Sequence, residues 1–119
     1  MKRTLIIGAS NNPTRYSYKA ANDLMLNGHE IIPFGVNRGE VLGVKMENKW
    51  KTEWKIDTVT MYVNPSIQKQ YINDIVALNP KRVIFNPGTE NPELYAVLTQ
   101  HKIQYEEACT LVLLSIGAY

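Results

Sequence analysis

The sequence predicts a single α/β domain, residues 1–119, built on a mostly parallel five-stranded sheet in three layers. Short apolar runs alternate with stretches whose apolar residues recur at helical spacing. Glycine or an asparagine-proline pair separates most of these segments. A length of 119 residues suffices for one sheet covered on both faces and leaves no room for a separate catalytic domain.

The elements alternate in order along the chain. Strands are expected at Thr4–Gly8, Glu30–Phe34, Thr58–Val63, Arg82–Asn86 and Ile103–Glu106. Helices are expected at Tyr16–Asn27, Pro65–Leu78, Pro92–His101 and Thr110–Ile116. The stretch from 35 to 55 is irregular, with one short strand near Val44–Met46. Strands that alternate with helices favour a parallel sheet with right-handed crossovers.

Asparagine-proline pairs mark the ends of several segments. Asn64-Pro65 and Asn91-Pro92 stand directly before helical stretches, where Asn can cap the first turn and Pro fits its first position. Asn79-Pro80 closes the second helix, and Gly28 ends the first. These pairs set the expected helix boundaries.

The first strand ends in a turn of small residues. Gly8, Ala9 and Ser10 follow the apolar run, and a polar loop then leads into the first helix. A strand, a tight glycine turn and a helix bring backbone N–H groups and a helix N-terminus up to a phosphate. The sequence therefore predicts a site for a nucleotide-type small molecule. We expect Gly8→Val to abolish binding, because a side chain would block the ligand's approach to the backbone.

The end of the second strand bears on which nucleotide fits. NAD sites usually place Asp or Glu there to hold the ribose hydroxyls. This chain has no acidic residue between Glu30 and Glu40, and its first turn lacks the full G-x-G-x-x-G pattern. Both absences count against NAD.

The sequence resembles the small CoA-binding domain family, most specifically in its N-terminal half. The resemblance covers Lys2 to about Cys109 and rests on Gly8-Ala9-Ser10, Pro13, Arg15, Ser17-Tyr18, Leu24, Gly28, Ile32-Pro33, Asn37 and Leu42-Gly43. That family has a Rossmann-like fold, similar to the CoA-binding domain of the succinyl-CoA synthetase alpha subunit. Where the family often has Val-Asn-Pro after strand two, this chain reads Val36-Asn37-Arg38. The resemblance implies binding of CoA or acyl-CoA and no particular reaction.

The resemblance also implies where CoA would bind. Gly8–Ser10 are expected to hold the phosphates, with Arg15 and Ser17 beside them, and Asn37 matches the polar residue after strand two. Pro87–Thr89 correspond to the loop near the adenosine. Arg15, Lys19 and Arg38 lie in or beside the expected rim and could neutralise part of the ligand's negative charge. The expected binding residues are Gly8, Ala9, Ser10, Arg15, Ser17, Asn37, Arg38, Pro87, Gly88 and Thr89.

No pattern in the chain indicates a catalytic centre or a metal site. His29 and His101 have no Cys, His or carboxylate partner at metal-binding spacing, so surface or helix-end roles are expected. Cys109 has no visible activating base and is expected to be a buried structural thiol. Trp50 and Trp54, which lie among lysines, are expected to pack on the domain or to contact a protein partner rather than nucleic acid.

Composition narrows the class of protein further. The net charge of +2 is too small to suggest nucleic acid on its own. No apolar run approaches the length of about 18 residues that a membrane span needs. A single cysteine allows no internal disulfide, which suits the cytoplasm. The N-terminus runs directly into the first strand, without the apolar stretch of a signal peptide.

Three functions stay open. The leading one is a CoA or acyl-CoA binding protein without its own catalytic centre, acting as a carrier, sensor or subunit. The second is an enzyme, either part of an acyl-CoA ligase or a small NAD(P)-dependent protein. The third is a scaffold whose nucleotide site has decayed. The apolar tail 111–116 predicts either a last core helix or the surface of a homodimer.

Overall fold

Five parallel strands form the centre of the molecule. The computed structural model of the chain describes all residues from 1 to 119. The sheet strands are β1 Thr4–Ile7, β2 Ile31–Phe34, β5 Thr58–Met61, β6 Arg82–Phe85 and β7 Gln104–Glu107, and a separate antiparallel hairpin contains β3 Glu40–Val41 and β4 Val44–Lys45. The order in the sheet is β2-β1-β5-β6-β7. The predicted α/β class is confirmed, with all five strands parallel.

Helices cover both faces of this sheet. They are α1 Tyr16–Leu26, α2 Pro65–Gln68, α3 Ile72–Leu78, α4 Pro92–Gln100 and α5 Thr110–Ser115. Helix α1 packs against α5, and α3 packs against α4. The core consists of two apolar clusters, one on each side of the sheet.

The central strand β1 explains why the core divides in two. All four of its residues are buried, as expected for a strand covered on both faces. Leu5 and Ile7 belong to the larger cluster, whereas Ile6 belongs to the cluster under α1. This alternation follows from the two-residue period of a strand.

The predicted helix caps are present. The Asn64 side-chain oxygen accepts a hydrogen bond from the Ile67 N–H at 3.0 Å, and that of Asn91 accepts one from the Leu94 N–H at 3.3 Å. Asn79 ends α3 in a left-handed conformation, with a φ of 49°. Most other element boundaries differ from the expected ones by one or two residues.

The expected helix Pro65–Leu78 is wrong as a single element. A 3₁₀ turn, Lys69–Tyr71, separates α2 from α3. Because such a turn has about 3.0 residues rather than 3.6 per turn, it interrupts the helical spacing of the apolar residues. Ile67 is 40% exposed, and Gln68 is fully buried instead. The Gln68 amide donates to the carbonyls of Val63 and Thr89, both at 2.8 Å, which stabilises this arrangement.

Helix α5 is only partly covered, in contrast to the expected buried tail. Thr110 and Leu114 are buried, whereas Val112 is 52% and Ile116 is 67% exposed. Its inner side faces α1, and its outer side has no cover within this chain. The homodimer stays a prediction. No helix in the structure has the length and apolarity needed to cross a bilayer.

The histidines and the cysteine lie away from one another. His29 accepts a hydrogen bond at Nδ1 from the Lys2 N–H at 2.9 Å and packs against the Tyr119 ring. Burial, followed by the nearby N-terminal amine, lowers the pKa of His29. His101 is exposed at the end of α4. Cys109 is half-buried, rather than fully buried as expected, directly before α5.

Candidate functional site

A cleft of about 610 Å³ opens at the carboxyl ends of the strands. It lies beside β1, the strand at which the order reverses. β2 pairs with one side of β1, and β5, which comes later in the chain, pairs with the other side. Open parallel sheets bind ligands at such a reversal of strand order. Six of the ten expected binding residues line the cleft, namely Gly8, Ala9, Ser10, Arg15, Ser17 and Asn37.

The other four expected residues lie outside this lining. Arg38 follows Asn37 on the exposed rim. The loop Pro87–Thr89 is held by bonds within the protein: Gly88 N–H donates to the Glu90 carboxylate at 2.9 Å, and the buried Thr89 hydroxyl donates to the Asn86 carbonyl at 2.7 Å. A role of this loop in binding stays a prediction.

The backbone of the glycine turn is partly used by the sheet itself. The Phe34 carbonyl accepts hydrogen bonds from both the Gly8 N–H at 2.9 Å and the Ala9 N–H at 3.0 Å. These two donors therefore extend the β1–β2 pairing and are not directed at a ligand. The next two N–H groups, of Ser10 and Asn11, donate to no other group of the protein. Donors available to a phosphate thus begin at Ser10.

The N-terminus of α1 adds further unpaired donors. Arg15 occupies the capping position without a side-chain cap, and the first turn contains no acidic residue. The N–H groups of Tyr16 and Ser17 have no acceptor in the protein, as is typical of a first helical turn. Ser17 is only 5% exposed, and its hydroxyl has no hydrogen-bond partner. These donors, at the positive end of the helix dipole, suit an anion.

The fold itself requires glycine at position 8. Its φ is +92°, and a Cβ there would lie 2.8 Å from Val63 Cγ1 and 3.0 Å from the Tyr62 backbone. The glycine lets the end of β1 approach the end of β5. Gly8→Val would therefore perturb the fold together with binding, and it does not test the phosphate site by itself.

An apolar wall faces these donors across the cleft, and sequence reasoning missed it. Its side chains come from β2, the end of β5, and the α2 and 3₁₀ segments: Phe34, Tyr62, Val63, Ile67 and Tyr71. The wall depends on the strand order, which no sequence motif reports. Because β5 adjoins β1 where the order reverses, the end of β5 borders the cleft. The cleft thus combines apolar side chains with a few polar donors, as is usual in small-molecule sites.

Both tryptophans support this wall from behind. Trp50 stacks on Tyr71 with 5.7 Å between ring centroids and meets Phe34 edge-on at 5.3 Å. Trp54 also packs edge-on against Phe34, at 6.1 Å. The expected packing of the two tryptophans on the domain is confirmed. Lys49, Lys51 and Lys55 are exposed around them.

A buried polar network lies beside the cleft residue Tyr62. Asn86 donates to the Thr60 hydroxyl at 2.7 Å and to the Met61 carbonyl at 2.8 Å, and its oxygen accepts the Thr110 N–H at 2.8 Å. The hydroxyls of Thr60 and Thr110 are 2.7 Å apart. The network joins β5, β6 and α5. Burial raises the pKa of the neighbouring Tyr62 well above its usual value of 10, although the two threonine hydroxyls oppose this shift.

Raising the pH should destabilise the fold through Tyr62. Its pKa is higher in the folded chain than in the unfolded chain, so its contribution to stability is complete below about pH 10 and is lost as the pH rises through the folded pKa. Urea denaturation from about pH 9 to about pH 11 should show a falling free energy of unfolding, and Tyr62→Phe should reduce this fall. Burial raises the pKa values of Tyr71, Tyr95 and Tyr119 as well, so part of the fall remains.

The matched control is Tyr16→Phe, at a position that is 70% exposed. This variant should lose as much stability as the wild-type chain over the same pH range. An equal loss in Tyr62→Phe and wild type would contradict the assignment to Tyr62.

Comparisons with known proteins show the fold and the family of the chain. The sequence model of the CoA binding domain family matches residues 2–115. An uncharacterised protein of known crystal structure is 50% identical, with a TM-score of 0.97 over 100% of this chain and 98% of that chain. A hypothetical protein from Pyrococcus horikoshii is 25% identical, with a TM-score of 0.85 over 93% of this chain and 80% of that chain.

A more distant Thermus thermophilus protein shares the fold. It is 19% identical, with a TM-score of 0.89 over 99% of this chain and 90% of that chain. No curated protein matches the chain. The parallel sheet, with helices on both faces, is Rossmann-like. Because the family match spans nearly the whole sequence, the chain belongs to the CoA binding domain family.

Proposed function

We propose that the chain binds CoA or acyl-CoA in the cleft beside β1 and has no catalytic centre of its own. It would act as a carrier, a sensor or a subunit of a larger assembly, in the cytoplasm that its single cysteine suits. The observation that carries the proposal is the row of unpaired N–H groups at Ser10, Asn11, Tyr16 and Ser17, in a member of the CoA binding domain family.

The charge around the cleft supports an anionic ligand. CoA carries a pyrophosphate and a ribose phosphate. Arg15 lines the cleft beside the unpaired donors, and the lining contains no Asp or Glu. A guanidinium pairs well with phosphate oxygens, and the helix N-terminus adds to the attraction. The pyrophosphate would therefore lie between Ser10 and the first turn of α1.

The apolar wall supports the uncharged parts of such a ligand. Val63, Ile67 and Tyr71 present side chains that can contact an adenine ring or the pantetheine arm. The end of β2 supplies no carboxylate for the free ribose hydroxyls of NAD. CoA fits the residues of this cleft better than NAD does.

Calorimetric titration with CoA, acetyl-CoA, NAD and ATP tests the proposal. We expect CoA and acetyl-CoA to bind, and the fluorescence of Trp50 to change because its ring stacks on the cleft residue Tyr71. Tight binding of NAD without CoA would favour the NAD-dependent enzyme instead. Binding of none of the four ligands would favour the scaffold.

Arg15→Gln should weaken CoA binding by roughly 10-fold or more, because a charge-assisted hydrogen bond to phosphate is lost. The matched control is Lys102→Gln, which removes the same charge from an exposed turn before β7, at the opposite end of the sheet. Titration at low salt should show a loss of CoA affinity for Arg15→Gln and none for Lys102→Gln. The affinity of the wild-type chain for CoA should also fall as salt is added, because salt screens the phosphates. Equal affinities of the two variants would contradict a phosphate contact at Arg15.

A further inference from the structure

We infer that a second copy of this chain docks on the outer face of α1 and α5, so that the protein forms a two-fold symmetric dimer. These two helices pack against each other and leave a groove between them. The groove is separate from the cleft at the ends of the strands, because no residue lines both. Dimerisation through this face therefore does not depend on the ligand proposed above.

The groove between α1 and α5 has a volume of about 540 Å³. Leu111 and Val112 of α5 line one side of it, and Tyr18 of α1 lies on the other. The hydroxyl of Ser115, which also lines the groove, donates to the Val112 carbonyl within α5 at 2.8 Å. Because this donor is already paired, an apolar side chain can cover it at little cost.

Large apolar side chains project beside the groove. Val112 and Ile116 are both more than half exposed, and they share one side of α5 because they lie four residues apart. Leu26, which is 75% exposed, comes four residues after the groove residue Asn22 and continues that side of α1. A groove and projecting side chains thus lie on one surface, and such a surface can complement itself when the side chains of one copy enter the groove of the other.

The charges along the groove are balanced. Lys19 and Asp23 lie one helical turn apart on α1, and both line the groove. Neither forms an ion pair within the chain. The Lys19 ammonium lies 5.4 Å from the centre of the Tyr16 ring instead. One unpaired cation and one unpaired anion favour a partner that presents the same two charges in the opposite order, which a second copy related by a two-fold axis does.

A two-fold axis that crosses α1 near Asn22 satisfies these groups together. The two copies of α1 then run antiparallel, and Lys19 of each copy faces the partner's Asp23. Asn22 lies between them in the chain, and its side-chain amide carries both a donor and an acceptor. It can therefore pair with its own copy at the axis. Every contact of such an interface occurs twice.

Charge reversal tests this interface, with analytical ultracentrifugation of the full chain at micromolar concentration. The wild-type chain should sediment as a dimer. Asp23→Lys and Lys19→Asp should each raise the dimer dissociation constant by roughly 10-fold or more, because like charges then face each other twice. The double variant recreates both pairs in reverse and should restore the wild-type value. The control Lys102→Glu reverses a charge on the exposed turn before β7 and should leave the dimer unchanged.

Val112→Ser tests the apolar part of the same face and should also weaken the dimer. A monomeric wild-type chain would overturn the inference, and a different protein would then be the occupant of this face. A dimer with the same dissociation constant in wild type, Asp23→Lys and Val112→Ser would overturn it as well, because the copies would then meet elsewhere. A double variant that stays as weak as the single reversals would contradict the pairing of Lys19 with Asp23.

Discussion

Gly8→Ala should destabilise the fold by roughly 2–5 kcal/mol. A left-handed backbone costs a side chain about 1–2 kcal/mol, and the backbone at Gly8 has a φ of +92°. The new Cβ would also collide with Val63 and the Tyr62 backbone, and overpacking of this kind costs about 1–3 kcal/mol. Urea denaturation followed by circular dichroism measures the change.

The chain offers a matched control in Gly88. Its φ is also +92°, but a Cβ there would meet no atom within 4 Å. Gly88→Ala should therefore cost only the backbone part, about 1–2 kcal/mol. If the two variants lose equal stability, the close approach between the ends of β1 and β5 is not what requires glycine at position 8.

Asn86→Ala should lower the free energy of unfolding by roughly 2–5 kcal/mol, because each buried polar group left without a partner costs about 1–3 kcal/mol. The substitution removes the acceptor of the Thr110 N–H and the donor to the Met61 carbonyl. Since a domain of this size is stable by only about 5–15 kcal/mol, the loss is a large fraction of the total. Thermal and urea denaturation both report it.

Asn27→Ala serves as the control for the residue type. The Asn27 side chain also makes a short hydrogen bond, to the Asp23 carbonyl at 2.7 Å, but at an exposed helix end. Water can replace that bond, so the cost should stay within about 0.5 kcal/mol. A comparable loss in both variants would mean that burial of the Asn86 network contributes little.

Local signals in the sequence were enough to predict the order of elements. The caps at Asn64 and Asn91 depend on residues three positions away, and both are present as expected. The break between α2 and α3 depends instead on Gln68, whose partners Thr89 and Asn91 lie more than 20 residues further along the chain. A helical pattern cannot show such a contact, because it arises only when distant loops pack together.

The candidate site also contains residues that the sequence predicts and residues that it does not. The motif of a strand, a glycine turn and a helix predicts Gly8–Ser10, and the family resemblance adds Arg15 and Ser17; all of these line the cleft. The expected strand Thr58–Val63 includes Tyr62 and Val63 as its last residues, whereas β5 ends at Met61. The point where β5 ends depends on its pairing with β1. Pairing also determines that Gly8 and Ala9 donate to Phe34. No sequence pattern reports which carbonyl of a neighbouring strand accepts a given N–H.

The shared carbonyl of Phe34 has a consequence for the thermodynamics of binding. Two successive amides bonded to one acceptor fix the glycine turn to β2 before any ligand arrives. Backbone that is already ordered loses little conformational entropy on association, whereas a mobile loop would lose about 1–2 kcal/mol per residue. The turn is thus preorganised, and the ordering that binding requires is confined to side chains on the rim of the cleft.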